Sequence, residues 1–319
     1  MQSISCETVS GACARRLIVA AAFLASFFAA PAWTAEPRVP YVPTPQEVVE
    51  RMLETAKVGP SDYLIDLGSG DGRIVITAAK KHGARGFGVD LNPERVKEGN
   101  ENARKAGVTG KVTFQQRDLF ETDLSPATVI TMYLLPRVNI DLRPKLLELV
   151  PGTRLVSHDF DMGDWKADTQ VSVDVKDKYG GAPGTSEIFY WVVPARAAGT
   201  WQWQTTVAGK PQAYEVRLEQ KYQVITGSVW LGARPVTVQG ARLRGADIQF
   251  SFNADVNGSP VKHEFSGKIG GEAIVGTAIL SGPRIQSQVE WNARRLARPA
   301  AGHAAPEPAA QTAHRSVPN

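Results

Sequence analysis

Cysteine is nearly absent from this sequence. The two cysteines, Cys6 and Cys13, lie near the N-terminus, ahead of an apolar run from Leu17 to Ala30. If that segment is removed as a signal, the rest of the chain contains no cysteine. Disulfides, a thiol nucleophile and a cysteine metal site are then excluded. Neither cysteine follows the apolar run, so we do not expect a lipid anchor on cysteine.

Long hydrophobic runs are also scarce. The run from Leu17 to Ala30 is shorter than the roughly 20 residues that a membrane-spanning helix needs, and two arginines, Arg15 and Arg16, precede it. Small residues suited to cleavage follow at its end. We therefore predict a signal peptide over residues 1–35 and an exported protein, periplasmic or otherwise extracytoplasmic, which stays anchored in the membrane only if the signal is not cleaved.

The sequence has no cluster of charged residues of one sign. The net charge is +4, and the lysines and arginines are scattered along the chain. This distribution favours solubility with a slight preference for anionic surfaces, and it argues against a nucleic-acid partner while leaving membrane proximity open. His158, Asp159 and Asp161 lie close together in sequence but lack a wider ligand pattern, so we predict no metal.

Strand and helix patterns alternate through the first large part of the chain. A proline-rich linker over 36–43 precedes Thr44-Pro45-Gln46-Glu47, which we interpret as a capping box. Such alternation is typical of a parallel sheet covered on both faces. A hairpin closes it, so residues 44–195 are predicted to form one α/β domain with an antiparallel edge. Strands are predicted over 63–67, 86–90, 112–114, 129–134, 153–157, 171–175 and 187–193, with helices over 73–81 and 141–150.

The pattern changes to a period of two after Pro194. Stretches such as Tyr214–Leu218 alternate between apolar and polar residues, which is typical of half-buried strands. We predict an antiparallel β domain over residues 196–297, a meander of roughly eight short strands that closes or half-closes into a barrel. Residues 298–319 are rich in alanine and proline and are predicted to be disordered.

A glycine-rich turn, Asp66-Leu67-Gly68-Ser69-Gly70-Asp71-Gly72, links the first strand to its helix, and Asp90 ends the next strand. Glycines at this position let the backbone approach a ligand at the carboxyl end of the sheet. A dinucleotide site would space its glycines G-x-G-x-x-G to hold pyrophosphate. Here Asp71 lies inside the turn and would repel phosphate. The turn thus favours a cationic ligand such as S-adenosylmethionine over NAD.

The motifs from Tyr41 to about Trp165 closely resemble a known family. They resemble the class I, seven-strand S-adenosylmethionine-dependent methyltransferases. Within that class, they are similar to the lysine methyltransferases whose mitochondrial members modify the ATP synthase c-subunit and the adenine nucleotide translocase. The resemblance is carried by Tyr41-Val42-Pro43-Thr44-Pro45, Asp66 to Arg73, Asp90-Leu91-Asn92-Pro93, Asp118-Leu119-Phe120, Tyr133-Leu134-Leu135-Pro136 and Ser157-His158-Asp159-Phe160.

The resemblance implies a Rossmann-like methyltransferase sheet and S-adenosyl-L-methionine as cofactor. It implies that Asp66 cradles the methionine part of the cofactor, together with Gly68, Ser69, Gly70 and Gly72. Asp90, with Leu91, would hold the ribose hydroxyls, and Asp118 the adenine amino group, with Leu119 beside the ring. Thr44 and Pro45 would close over the cofactor. Tyr133 and Pro136 would line the methyl-transfer channel, with His158 or Asp159 as candidate proton acceptors.

The substrate stays open at this point. The predicted signal and the added β domain both depart from the mitochondrial members. We expect N-methylation of a lysine in an envelope or membrane protein. The alternatives are a small-molecule methyltransferase that uses the β domain as substrate pocket, and a non-catalytic scaffold that only binds the cofactor. Intact Asp66, Gly68, Gly70, Gly72 and Asp90 argue against the scaffold.

Overall fold

The structure is a computed structural model that describes residues 41–178, 181–207, 209–231, 235–256 and 258–297. The predicted signal peptide, most of the predicted linker and the predicted disordered tail lie outside these residues. In the described part of the chain, no helix is both long enough and apolar enough to cross a membrane.

Seven strands form a mixed sheet in the order β3-β2-β1-β4-β5-β7-β6. The first five strands run parallel, and β7 pairs antiparallel with both β5 and β6. The predicted α/β class and the antiparallel edge are therefore confirmed. The strands are β1 (Tyr63–Leu67), β2 (Arg85–Asp90), β3 (Val112–Gln116), β4 (Val129–Met132), β5 (Arg154–His158), β6 (Thr169–Lys178) and β7 (Ala182–Val192). The helices are α1 (Gln46–Thr55), α2 (Arg73–His82), α3 (Pro93–Lys105) and α4 (Pro136–Leu146).

The N-terminal ends of α3 and α1 differ in how they are capped. Asn92 caps α3 by accepting a hydrogen bond from the backbone N–H of Glu94 at 2.9 Å, and Pro93 is the first helical residue. The predicted capping box of α1 is wrong. Pro45 occupies the N-cap position with no side-chain hydrogen bond, because the Thr44 hydroxyl lies 3.2 Å from Nδ1 of His158 instead.

Two predicted boundaries after β3 also differ from the structure. β4 ends at Met132 rather than at residue 134, and α4 begins at Pro136 rather than at residue 141. Proline is well suited to the first turn of a helix because the N–H it lacks has no partner there. The short extended segment Tyr133–Leu135 between them places side chains at the carboxyl end of the sheet.

The remaining nine strands form a second, antiparallel sheet in the order β11-β10-β9-β8-β16-β15-β14-β13-β12. The two ends of this order approach each other, because the backbone N–H of Val238, between β11 and β12, donates to the carbonyl of Gly227 in β10 at 3.0 Å, and the sheet is a nearly closed barrel. One aromatic-rich core, including Trp201, Trp203 and Trp291, fills its interior. The strands are β8 (Gly199–Val207), β9 (Lys210–Lys221), β10 (Val224–Trp230), β11 (Pro235–Thr237), β12 (Gln239–Arg244), β13 (Asp247–Val256), β14 (Ser259–Gly270), β15 (Ala273–Gly282) and β16 (Ile285–Ala297).

The turn between β9 and β10 joins the two sheets. The indole Nε1 of the buried Trp165 donates to Oε1 of Gln223 at 2.9 Å, and the Trp165 ring stacks on that of Tyr222 with centroids 5.7 Å apart. Asp164 accepts from the Tyr222 hydroxyl at 3.0 Å. The barrel thus covers Trp165, which lies in the segment between β5 and β6.

A chain shortened to end at Pro194 is expected to fold and to bind S-adenosylhomocysteine with the affinity of the full chain. The glycine turn and the acids at the strand ends all precede this point. Its melting temperature should fall, because removal of the barrel exposes Trp165 and leaves its indole N–H without Gln223. Calorimetric titration checks the binding. An insoluble or non-binding fragment would mean that the barrel completes the first core instead of accompanying it.

Candidate active site

A cavity of about 420 Å³ lies at the carboxyl ends of the parallel strands. This is the edge at which open α/β sheets bind their ligands, and the volume falls within the range of small-molecule sites. The segment Tyr41–Thr44 lies over it from the N-terminal side. The lining residues come from that segment, β1, the glycine turn, the ends of β2 and β3, the segment after β4 and the first turns of α2, α3 and α4. They are Tyr41, Val42, Pro43, Thr44, Asp66, Gly68, Ser69, Gly70, Asp71, Arg73, Ile74, Val89, Asp90, Leu91, Asn92, Arg95, Arg117, Asp118, Leu119, Phe120, Tyr133, Leu134 and Val138.

The glycine turn forms the floor of the cavity and requires its glycines. Gly70 has a φ of 52°, in the left-handed region, and a Cβ on it would lie 2.5 Å from the ring of Tyr41. Its N–H donates to Oδ2 of Asp90 at 3.0 Å. Ser69 is buried, and its hydroxyl has no hydrogen-bond partner among the described residues. The turn therefore offers close backbone approach and a buried hydroxyl, which fits a polar ligand.

Three carboxylates stand in a row along this edge. Asp66 lies near the end of β1, Asp90 ends β2, and Asp118 follows β3. These strands are neighbours in the order β3-β2-β1, so the row spans about 10 Å at the usual strand spacing. A ligand that lies across these strand ends can form hydrogen bonds with all three carboxyl groups, Asp66 and Asp118 at its two ends and Asp90 at its middle.

Each of these carboxylates is held by different partners. Asp90 ties the turn to the start of α3, because its oxygens accept from the N–H groups of Gly70 and Asn92 at 3.0 and 2.9 Å. Asp118 accepts from the N–H of Phe120 at 2.8 Å. Asp66 accepts from the hydroxyl of Thr131 at 2.7 Å. All three carboxylates are oriented before any ligand binds.

Asp66 is the most deeply buried of the three, with 2% of its surface exposed. Burial raises the pKa of Asp66 to about 7, against the opposing effect of the Thr131 hydrogen bond. A ligand ammonium beside it would favour the charged carboxylate. Binding of such a ligand below about pH 7 is therefore expected to release a proton from Asp66.

The raised pKa of Asp66 predicts that ligand affinity increases with pH. Affinity for S-adenosylhomocysteine should rise with pH up to about 7 and then level off, changing by about tenfold per pH unit well below the pKa of Asp66. Titrations between pH 5.5 and 7.5 in buffers of different ionisation enthalpy would measure the released proton. Asp66→Asn should bind weakly and without this slope. An Asp66→Asn slope equal to that of the unchanged protein would assign the proton to another group.

Asp71 lines the cavity as a charged carboxylate, but its charge is paired within the turn. Its carboxylate is bound by the guanidinium of Arg73, with Nη2 2.6 Å from Oδ2. Burial disfavours the charged form of Asp71, but the Arg73 hydrogen bonds outweigh it and keep its pKa below the ordinary value. Arg73 also donates to the backbone carbonyl of Thr44 at 2.8 Å. The pair thus fastens the segment Tyr41–Thr44 over the cavity.

Tyr133 connects the cavity to a buried polar cluster. Its ring packs on His158 with centroids 3.9 Å apart. Both ring nitrogens of His158 have partners, since Nδ1 lies 3.2 Å from the Thr44 hydroxyl and Nε2 lies 2.9 Å from the Ser186 hydroxyl. Burial lowers the pKa of His158 to about 4, although Asp159 opposes this shift. His158 is therefore neutral at physiological pH and orients Tyr133.

Asp159 lies next to Tyr133 but does not itself line the cavity. Its Oδ1 accepts from the backbone N–H of Glu187 at 2.9 Å and from the Lys178 ammonium at 3.1 Å. Its Oδ2 accepts from the Tyr133 hydroxyl at 3.4 Å. The carboxylate thus receives three different donors beside the cavity wall.

The structure brings most of the predicted site residues to one cavity. Those that line it are Thr44, Asp66, Gly68, Ser69, Gly70, Asp90, Leu91, Asp118, Leu119 and Tyr133. Five others do not line it. Pro45 is the N-cap of α1, Gly72 the N-cap of α2 and Pro136 the first residue of α4, while His158 and Asp159 contact Tyr133.

Sequence reasoning missed three arginines and one tyrosine. Arg73, Arg95 and Arg117 line the cavity, and the Arg95 guanidinium lies 4.6 Å from the ring centroid of Tyr41. Tyr41 stood within a motif that carried the family resemblance, but only its packing over Gly70 shows that it covers the site. Among the described residues, no group of three or more histidine, cysteine, aspartate or glutamate side chains could hold a metal ion.

Comparison with known proteins places this site in a family. The family model of the ANTKMT methyltransferase domain matches residues 66–169. A protein-lysine N-methyltransferase of Saccharolobus islandicus is 51% identical over 140 residues, which cover 43% of this chain and 87% of that protein. The chain belongs to this methyltransferase family. The predicted resemblance and the predicted enzyme class are thereby confirmed.

Other relatives match a smaller share of their own length. The adenine nucleotide translocase lysine N-methyltransferase of Mus musculus is 37% identical over 131 residues, 40% of this chain and 56% of that protein. The chain thus spans little more than half the length of this mouse methyltransferase. Among solved structures, an RNA methyltransferase from Salinibacter ruber in complex with S-adenosyl-L-homocysteine is 54% identical. It covers 49% of this chain and 95% of its own, with a TM-score of 0.44.

Proposed function

We propose that this methyltransferase transfers a methyl group from S-adenosyl-L-methionine to the side-chain amine of a lysine in a protein. The observation that carries the proposal is the row of Asp66, Asp90 and Asp118 along the edge of the cavity. The relatives named as lysine methyltransferases support the choice of acceptor.

The order of the row suits the three polar parts of the cofactor. Asp66, buried and negatively charged once it loses its proton, would hold the ammonium of the methionine part. Asp90, at the next strand end, would accept hydrogen bonds from two ribose hydroxyls. Asp118 would accept from the adenine amino group, with Leu119 against the ring. Ser69 contributes a buried hydroxyl that has no partner among the described residues.

The reaction joins a methyl carbon to a nitrogen. When bound, the cofactor supplies a methyl group on a positively charged sulfur, which leaves as a neutral thioether. The acceptor must offer a free electron pair, so the lysine ammonium has to lose its proton before transfer, and desolvation lowers its pKa. The chain supplies this environment with the ring of Tyr133 and the buried Leu134.

Positioning accounts for most of what the protein contributes. Holding donor and acceptor in line replaces a bimolecular encounter by a local step. Here His158 fixes the Tyr133 ring from behind, and Arg73 fastens the backbone of Thr44 over the cavity. These contacts fix the walls of the cavity.

We also propose that the chain acts outside the cytoplasm on an envelope or membrane protein. The support is the pair Arg15 and Arg16 before the apolar run Leu17 to Ala30. These residues lie outside the described part of the chain.

The experiment is to incubate the purified protein with methyl-labelled S-adenosylmethionine and an envelope extract. The extract is then separated into protein, RNA and small-molecule fractions. We expect the label in the protein fraction, and about ten- to hundredfold less there with Asp90→Ala protein at a cofactor concentration that does not saturate it. Label confined to small molecules would favour a small-molecule methyltransferase. Label in RNA would mean that the acceptor is RNA and not a protein. Full cofactor binding without any transfer would identify a scaffold.

A further inference from the structure

The chain places an ammonium group of its own on a buried carboxylate beside the cavity. Lys178, the last residue of β6, has its Nζ 3.1 Å from Oδ1 of Asp159 and also donates to the backbone carbonyl of Thr185. Only 18% of the Lys178 side chain and 7% of the Asp159 side chain are exposed. Lysine side chains are rarely so far withdrawn from water, so this pair sits in a site that binds an ammonium group well.

Asp159 also touches the wall of the cavity. Its other oxygen, Oδ2, accepts from the hydroxyl of Tyr133 at 3.4 Å, and Tyr133 lines the cavity. The Lys178 ammonium, the Asp159 carboxylate and the Tyr133 phenol therefore form a continuous chain of polar contacts that ends at the cavity.

The Asp159 carboxylate is held in place without the help of Lys178. Asp159 has a φ of 59°, in the left-handed region that aspartate tolerates better than most residues. Its Oδ1 accepts from the backbone N–H of Glu187 at 2.9 Å, across the β5–β7 pair. A carboxylate fixed by backbone contacts can exchange one ammonium for another without losing its position.

An acceptor lysine that approaches Tyr133 carries the same group as Lys178. It arrives charged, because the ordinary pKa of a lysine is about 10.4. We propose that Asp159 is the place where the ammonium of the acceptor lysine first binds, and that Lys178 occupies this place as an internal competitor until the acceptor displaces it. This inference rests on the proposed lysine methylation.

An internal competitor has a kinetic signature that a purely structural residue lacks. It lowers the fraction of protein that is ready to bind the acceptor. The apparent KM for the acceptor is then the intrinsic KM divided by that fraction, and so it is higher. Once the acceptor is bound, the competitor is already displaced and kcat is unaffected. A residue that only supports the β6–β7 hairpin would change the stability of the protein and leave this KM alone.

The test measures methyl transfer from S-adenosylmethionine to poly-L-lysine as a defined acceptor. Lys178→Met removes the ammonium and should lower the KM for poly-L-lysine by about tenfold, with kcat within about twofold. Lys178→Arg restores a cation that can bind Asp159 and should return the KM towards that of the unchanged protein. Lys176→Met is the matched control, since Lys176 is an exposed lysine of the same strand.

The outcomes separate this inference from the function on which it rests. An unchanged or higher KM in Lys178→Met, with a lower melting temperature, would make Lys178 a purely structural residue and overturn the inference. An equal fall in KM for Lys176→Met would assign the effect to net charge and overturn it as well. If no variant labels poly-L-lysine or any protein while S-adenosylhomocysteine still binds, lysine methylation itself is rejected.

Discussion

Replacing Asp90 with alanine should weaken the binding of S-adenosylhomocysteine by about ten- to hundredfold. A hydrogen-bonded carboxylate of this kind contributes about 1.5 to 3 kcal/mol, and Asp90 is the middle acid of the row at the cavity. The change also removes the links to the N–H groups of Gly70 and Asn92, so the melting temperature should fall while the protein stays folded.

Calorimetric titration measures this loss, and circular dichroism checks the fold. Asp247→Ala is the control, because Asp247 is also at a strand end but is exposed and pairs with Lys268 on the other sheet. It should bind the ligand as the unchanged protein does. Equal affinity in Asp90→Ala would remove this residue from the cofactor site.

Replacing Gly70 with alanine should weaken ligand binding at least tenfold, because its Cβ would intrude on the cover of the cavity. The added carbon would lie 2.5 Å from the ring of Tyr41 and so push that ring away. The left-handed backbone adds about 1 to 2 kcal/mol of strain, which lowers stability independently of the clash.

Gly107→Ala separates the two effects. Gly107 also has a left-handed φ, 72°, but a Cβ there would meet no atom within 4 Å. This variant should lose a similar amount of stability and keep full ligand affinity, as thermal melts and titrations can show. If Gly107→Ala weakened binding as much as Gly70→Ala, the loss would come from general destabilisation and not from the cavity.

The sheet and its acids could be predicted from the sequence because their signals are local. Alternating buried strands and helices indicated the sheet, and a carboxylate at a strand end must lie at the edge where the ligand binds. Asp66 and Asp90 therefore reached the cavity as expected. The roles of Asp118 and Tyr133 were predicted only from the family resemblance, because the spacing of these residues alone assigned them no role.

The remaining features depend on contacts between distant segments. Arg73 neutralises Asp71 because the start of α2 turns its side chain back onto the turn, and a charge count along the sequence cannot show that pairing. Thr44 has the right spacing for a capping box, yet its hydroxyl meets His158 across the fold. The Lys178 contact with Asp159 depends on how the β6–β7 hairpin lies beside β5.

The proposed acceptor of this methyltransferase is the side-chain amine of a lysine. The most direct measurement is total acid hydrolysis of a protein labelled by this enzyme with methyl-labelled S-adenosylmethionine, followed by chromatography of the amino acids. We predict that the label elutes as ε-N-methylated lysine and falls by about ten- to hundredfold when Asp90→Ala protein is used at a subsaturating cofactor concentration. If the label were on another amino acid and still fell with Asp90→Ala, lysine would not be the acceptor. The assignment of Asp90 to the cofactor site would then still hold.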